Sequence, residues 1–308
     1  MGERMGVLAG VLSCALGGGA GVSTRFLAAS VEPDALAACR FGLGFLVLLP
    51  LALRARWPRG RDWIGTALLG LMFFAGFFVV FNLALSFTTA ARGALALSVL
   101  PLVTMSLAAL LGVEVLSVRK TAGVLIAVGG VAVALGAGLT AAPAGAWRGD
   151  ALMAGATLCM AFYSVRARPF VARSSALGFL VAGMSVGAGA ITLIAAARGS
   201  LAVLGELTAP QYAALAYLGV GGGAAAFWLW IWALQHASPT RVTATMTINP
   251  VAAGLLAGVL LDEPLGLNVA LGVVTVLVGL WLSARENPKA AVVDAPGPPR
   301  EPELDRRR

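Results

Sequence analysis

Residues 84–123 read ALSFTTAARGALALSVLPLVTMSLAALLGVEVLSVRKTAG, and residues 233–272 read ALQHASPTRVTATMTINPVAAGLLAGVLLDEPLGLNVALG. Laid over each other without a gap, they put Arg92 on Arg241, Pro101 on Pro250, Glu114 on Glu263, Leu116 on Leu265 and Gly123 on Gly272, each pair 149 positions apart. Ala84 and Leu85 meet Ala233 and Leu234 in the same register. Leucine matching leucine between apolar segments says little. Arg, Pro and Glu matching in a chain with only 12% charged residues says much more, and points to an internal duplication.

Both copies sit in strongly apolar surroundings. Of the 308 residues 59% are hydrophobic, and the mean hydropathy is +0.90. A water-soluble domain of this length needs about twice this density of Asp, Glu, Lys and Arg to cover its surface. The solvent this composition calls for is lipid. The net charge of +8 comes from short basic clusters between apolar runs and from a basic tail, not from one amphipathic face, so nucleic acid is excluded as a partner. Cys14, Cys39 and Cys159 are odd in number, far apart and embedded in apolar segments, which indicates neither a disulfide framework nor a metal site.

Irregular backbone cannot face hydrocarbon, so each apolar run of about 20 residues counts as one helix. Ten such runs are found, near 5–28, 35–53, 63–87, 91–112, 119–139, 149–168, 176–196, 211–236, 240–261 and 266–284. The predicted fold class is all-α integral membrane. A first five-helix repeat spans 1–139, a second spans 149–284, and 285–308 form a disordered cytoplasmic tail rich in Pro and charge. With the N-terminus inside, the cytoplasmic segments collect most of the Lys and Arg, leaving Arg25, Arg40, Arg92, Arg148 and Arg198 for the opposite side. Both termini are then cytoplasmic. Five spans is an odd number, so the second repeat enters the membrane inverted, the architecture with which many secondary carriers alternate between outward-open and inward-open states.

Ala84-Leu85 through Ala91-Arg92, Leu100-Pro101-Leu102, Gly112-Val113-Glu114 and Gly123 resemble the signature of the drug/metabolite transporter superfamily, specifically its EamA-type members. Trp232-Ala233-Leu234, Ser238-Pro239, Asn249-Pro250-Val251, Leu261-Asp262-Glu263 and Gly272 resemble it more closely still. Gly17 to Gly21 with Arg25 and Arg40 are similar to the opening of that family's first repeat, although Leu16 stands where the family usually has Trp. The resemblance implies ten helices in a bacterial inner membrane and export of small metabolites or amino acids by alternating access. A lipid or glycolipid flippase of the same fold is the alternative.

Every Asp and Glu falls in a linker, at a helix end or in the tail, so no carboxylate is offered at mid-depth, and Glu114 and Glu263 read as helix-end markers. Neutral polar groups and rings are the better candidates for binding a solute. Asn82 shares a helix face with Phe78; Asn249, just before Pro250, shares one with Thr245; Trp228 and Trp232 form one stripe of helix eight, opposed by Phe227 and Trp230; Tyr163 lies in helix six. Arg40, in the first turns of helix two, could attract a carboxylate. Pro101 and Pro250 are candidate hinges, since proline removes a backbone donor and breaks the helix. Gly219 to Gly223 lack the Lys of a phosphate-binding loop, so no nucleotide or other cofactor is expected. One His and no deep acid argue against an intramembrane enzyme, and short loops against a scaffold. A solute and the bilayer are the expected partners, with a homodimer left open.

Overall fold

The computed structural model describes residues 2–28, 30–85, 87–88, 93, 96–114, 116–139, 145–249, 252 and 267–284, and among these no strand occurs. The helices are α1 (Gly2–Leu27), α2 (Pro33–Ala52), α3 (Asp62–Gly70), α4 (Phe78–Leu85), α5 (Leu100–Leu110), α6 (Val118–Leu139), α7 (Ala146–Arg173), α8 (Ala176–Arg198), α9 (Ala209–Gly219), α10 (Ala226–His236), α11 (Pro239–Ala244) and α12 (Leu267–Ala284). A π-helical segment, π1 (Leu71–Phe77), joins α3 to α4, and a second, π2 (Val220–Ala225), joins α9 to α10. Leu71 and Val220 are 149 positions apart, the register of the internal match.

Among the described residues five helical stretches are long and apolar enough to cross a membrane: Gly2–Thr24, Pro33–Ala52, Asp62–Phe81, Ala176–Arg198 and Ala209–His236. Ala96–Leu110 is a shorter apolar helix. Leu8, Leu46, Ile64, Leu110, Leu193 and Val274 are each more than half exposed, so the outer surface is apolar as a lipid-facing surface must be. The predicted sixth span ends at 168, yet α7 runs on to Arg173 with Pro169 inside it. Charge ends a membrane span; it need not end a helix.

Small residues let the helices approach backbone to backbone. A Cβ placed on Gly70 would lie 2.2 Å from the carbonyl oxygen of Gly183, seating α3 on α8, and one on Gly44 would lie 2.9 Å from the carbonyl carbon of Gly223, seating α2 on π2. The packing of α6 on α12 repeats itself. A Cβ on Gly130 would meet Val276 N at 2.8 Å and Gly272 O at 2.9 Å, and one on Gly279 would meet Ala127 N at 2.5 Å and Gly123 O at 2.6 Å. Gly123 and Gly272, Ala127 and Val276, and Gly130 and Gly279 are each 149 positions apart, so the same contact is made twice with the partners exchanged.

Adjacent glycines in α6 separate packing from propensity. Gly130→Ala forces atoms into α12 and is expected to cost about 1–3 kcal/mol, as overpacking does. Gly129 has open space around its Cβ position, so Gly129→Ala is expected to be neutral or to gain up to about 1 kcal/mol from helix propensity. Unfolding titrations of the two variants in mixed micelles check this; equal effects would contradict the packing.

Candidate functional site

The first turns of α2 carry Arg40 into the bundle, roughly 10 Å along a helix about 30 Å long. Arg40 Nε and Nη2 donate to the carbonyl oxygen of Gly222, in π2, at 3.3 and 3.1 Å. The guanidinium carbon lies 5.6 Å from the ring centres of Phe41, Phe78 and Phe227, which come from α2, α4 and α10. Each such contact is worth about 0.5–2 kcal/mol, the upper end where water is excluded. Behind this triad the rings continue: Phe74 packs edge-on to Phe41 at 5.1 Å and to Phe227 at 5.4 Å, and Phe73 stacks on Tyr163 at 4.3 Å. The π1 turn sets Phe73, Phe74 and Phe77 on the bundle side, all of them buried.

Other candidates from the sequence are distributed around this cluster. Phe78 belongs to it. Tyr163 is buried in the core behind it rather than beside the guanidinium. The backbone of Asn82 lies one turn beyond Phe78 in α4, and its side chain is outside the described residues. Of the two stripes of α10, the one carrying Phe227 and Trp230 faces inward: Trp230 is buried, whereas Trp228 is 39% exposed and makes no ring contact among the described residues. Phe227 and Trp228 stand about 100° apart on the helix, so only one of them can face the cluster. Trp232 stacks on His236 at 3.9 Å, and His236 Nδ1 lies 2.8 Å from the Trp232 carbonyl oxygen, which pins that pair to the end of α10.

Thr245 is fully buried, donates to the Val242 carbonyl at 2.6 Å and lies 3.3 Å from Cys14 Sγ, so its hydroxyl is spent on packing against α1. Asn249 meets α1 two turns along: a Cβ on Gly17 would be 3.2 Å from Asn249 Nδ2. Pro101 stands just after a local tightening of the helix Ala96–Leu110. The backbone turns at Val99 and restarts as α5, with proline in its first turn, where the missing N–H costs nothing. Pro250, Arg92, Glu263 and the tail 285–308 lie outside the described residues, as does the side chain of Arg25.

Glu114 does more than mark a helix end. Gly112 takes φ +66°, the left-handed conformation that suits glycine, and turns the chain at the end of α5. Glu114 then accepts from the backbone N–H of Thr240 at 3.0 Å, capping the start of α11, and forms a close ion pair with Lys120. Both side chains are less than a tenth exposed. The short helix α11, from which the chain runs through a 3-10 turn at Thr245–Thr247 to Asn249, is therefore fastened at its beginning by a carboxylate 126 positions earlier in the chain.

The EamA-like transporter family matches the chain twice, over residues 4–136 and again over 147–285. The chain belongs to the EamA-like transporter family. An uncharacterized transporter of Bacillus subtilis, YyaM, is 21% identical over 255 residues, which is 81% of this chain and 83% of the relative. An uncharacterized transporter of Archaeoglobus fulgidus is 24% identical over 268 residues, 86% of this chain and 91% of that one. A solved crystal structure of a protein 22% identical shares the fold, with a TM-score of 0.76 over 91% of this chain and 96% of that chain. As an EamA-like protein with an apolar helical bundle, the chain is a multi-pass membrane transporter, and its family and relatives are named for transport and not for catalysis.

Removing Glu114 strands a buried ammonium and uncaps α11. Glu114→Ala is expected to destabilise by about 3–5 kcal/mol, the usual cost of breaking a buried pair from one side, and the double variant with Lys120→Met should recover most of it. Thermal denaturation of the three variants in detergent checks this; a single variant as stable as the parent would show the pair to be idle.

Proposed function

We propose that this EamA-like protein is a secondary carrier that exports small metabolites or amino-acid-like solutes by alternating access. In this reading ten spans form two five-helix repeats of opposite orientation in a bacterial inner membrane, with both termini cytoplasmic. The observation that supports it most is the exchange of partners at the α6 and α12 contact, where the pairs of Gly130 with Gly272 and Val276 recur 149 positions on as those of Gly279 with Gly123 and Ala127. Two copies that pack on each other through equivalent surfaces are related by a pseudo-two-fold, and two arrangements of such halves are close in energy because each copy can adopt the other's conformation. The paired π segments support the same relation, since each sits in the third helix of its repeat.

The solute site belongs between the halves. Arg40, Phe41 and Phe78 come from the first repeat and Gly222 and Phe227 from the second, so rocking of one repeat against the other remakes the surroundings of the guanidinium. Asn82 and Asn249 are proposed to line the path, one from each half, and Pro101 and Pro250 are proposed as the hinges of the two halves. The sequence holds no phosphate-binding loop, and an ion or solute gradient is the proposed driving force.

Reconstituted in proteoliposomes and offered a panel of labelled amino acids and metabolites, the protein should show saturable flux and counterflow, with Asn82→Ala and Asn249→Ala each lowering it severalfold and Pro250→Leu impairing it without loss of insertion. Counterflow is decisive, because a channel cannot produce it. Absence of flux for every soluble solute, with scrambling of labelled lipid instead, would replace the solute carrier with a flippase.

A further inference from the structure

Arg40 carries a charge that the described residues do not balance. The ion pairs among them join Lys120 to Glu114, Arg173 to Asp62, Arg198 to Asp34 and Arg241 to Glu3, and Arg40 is in none. Two of its N–H groups share one carbonyl oxygen, and the others find no acceptor among the described residues. A guanidinium does not give up its proton to escape this cost. An ionisable group at depth pairs with an acid or a backbone carbonyl and marks a substrate path by default; this one has a single carbonyl oxygen and three rings, about a third of the way along α2.

The surroundings suit a particular visitor. Three ring faces exclude water from one side of the guanidinium, which strengthens its attraction for an anion. A carboxylate accepts two parallel N–H bonds from such a fork and holds it more strongly than a neutral carbonyl does. The Gly222 carbonyl is thus a stand-in that keeps the cation bonded between visits. It sits in the π2 turn of the second repeat, so exchanging it for a carboxylate frees α2 of the first repeat from that contact. A second polar group is also unspent: the carboxamide of Asn249 has no hydrogen bond among the described residues and lies against Gly17, one turn of α1 from Ala20, which abuts Gly222.

We propose that Arg40 is the anion anchor of the transport site, and that the cargo is a monocarboxylate on an apolar body whose carboxylate displaces the Gly222 carbonyl while the body lies against Phe78 and Phe227. This deepens the carrier reading and rests on it for the word cargo. The site itself stands on the geometry of Arg40.

Three probes share one body and differ in the head group: 3-phenylpropionate, 3-phenylpropionamide and 3-phenylpropylamine. Titrated calorimetrically at neutral pH into the purified full chain in detergent, the acid is expected to bind at least about 30-fold more tightly than the amide or the amine, the usual scale for losing one partner of a desolvated charge pair. In Arg40→Met, which keeps the apolar stem, that preference should vanish. In Arg40→Lys, which keeps the charge and loses the fork, part of it should remain. Thermal melts establish that each variant is folded, and Arg40→Lys decides the matter if Arg40→Met is not. Equal binding of the three probes by the parent chain, no binding of any, or an unchanged preference in a folded Arg40 variant would overturn the proposal. The same probes in proteoliposomes separate the two readings. Acid-selective binding without flux keeps the anchor and removes the carrier, whereas flux indifferent to head group and to Arg40 keeps the carrier and removes the anchor.

Discussion

Hydrocarbon offers no hydrogen bond, so a chain that lives in it must satisfy each backbone N–H and carbonyl within its own helices. Every described stretch between the turns of this protein meets that demand as helix. With the backbone already satisfied, what remains to hold helix to helix is close packing, because lipid tails solvate leucine as well as another helix does. The contacts at Gly70 with Gly183, Gly44 with Gly223 and Gly130 with Gly272 follow from this: removing the side chain brings two backbones within van der Waals reach along their length.

The same constraint makes the polar exceptions informative. A close approach of α2 to π2 places Arg40 beside a backbone carbonyl of the π segment. Around it, Phe41, Phe78 and Phe227 supply the apolar enclosure that a guanidinium tolerates because its charge is delocalised and it can sit over ring faces. At the end of α5 the other polar exception, Glu114 with Lys120, is nearly closed to solvent and spends its charge on a helix start. The buried ammonium of Lys120 has its acid; the half-buried guanidinium of Arg40 has a carbonyl and three rings, and that contrast separates a fastening from the proposed binding group.

Much of the helical layout was legible in the residues. The predicted runs 35–53, 119–139, 176–196 and 266–284 lie within two residues of α2, α6, α8 and α12 at each end. Long apolar runs can only be helix in lipid, and the linkers between them carry Pro and charge. The candidate site was legible in part. Arg40 stood out as an ionisable residue inside an apolar run, and Phe78 as a ring on the face of Asn82 in helix three; that the two meet was not legible. The aromatic run 227–232 offered two stripes, and composition could not choose between them, since Trp at an interface and Phe in a core satisfy the same pattern. Thr245 looked like a free hydroxyl on the face of Asn249; its neighbours Cys14 and Gly10 on α1 absorb it. The π segments left only a trace, the glycines at 70, 76, 219 and 221 to 223, which packing alone would explain.

By itself the sequence determined that the chain lies in lipid, that it is helical, that its two halves match with an offset of 149, and which family it joins. These rest on hydropathy, periodicity and spacing, which are properties of the chain read along its length. Only the tertiary structure decided that Arg40 meets Gly222 and three rings, that Phe227 and not Trp228 faces them, and that Glu114 caps a helix 126 positions away. The reason is that a helix's rotation about its axis is set by the small residues of the neighbours it packs against, and no run of residues carries that information alone.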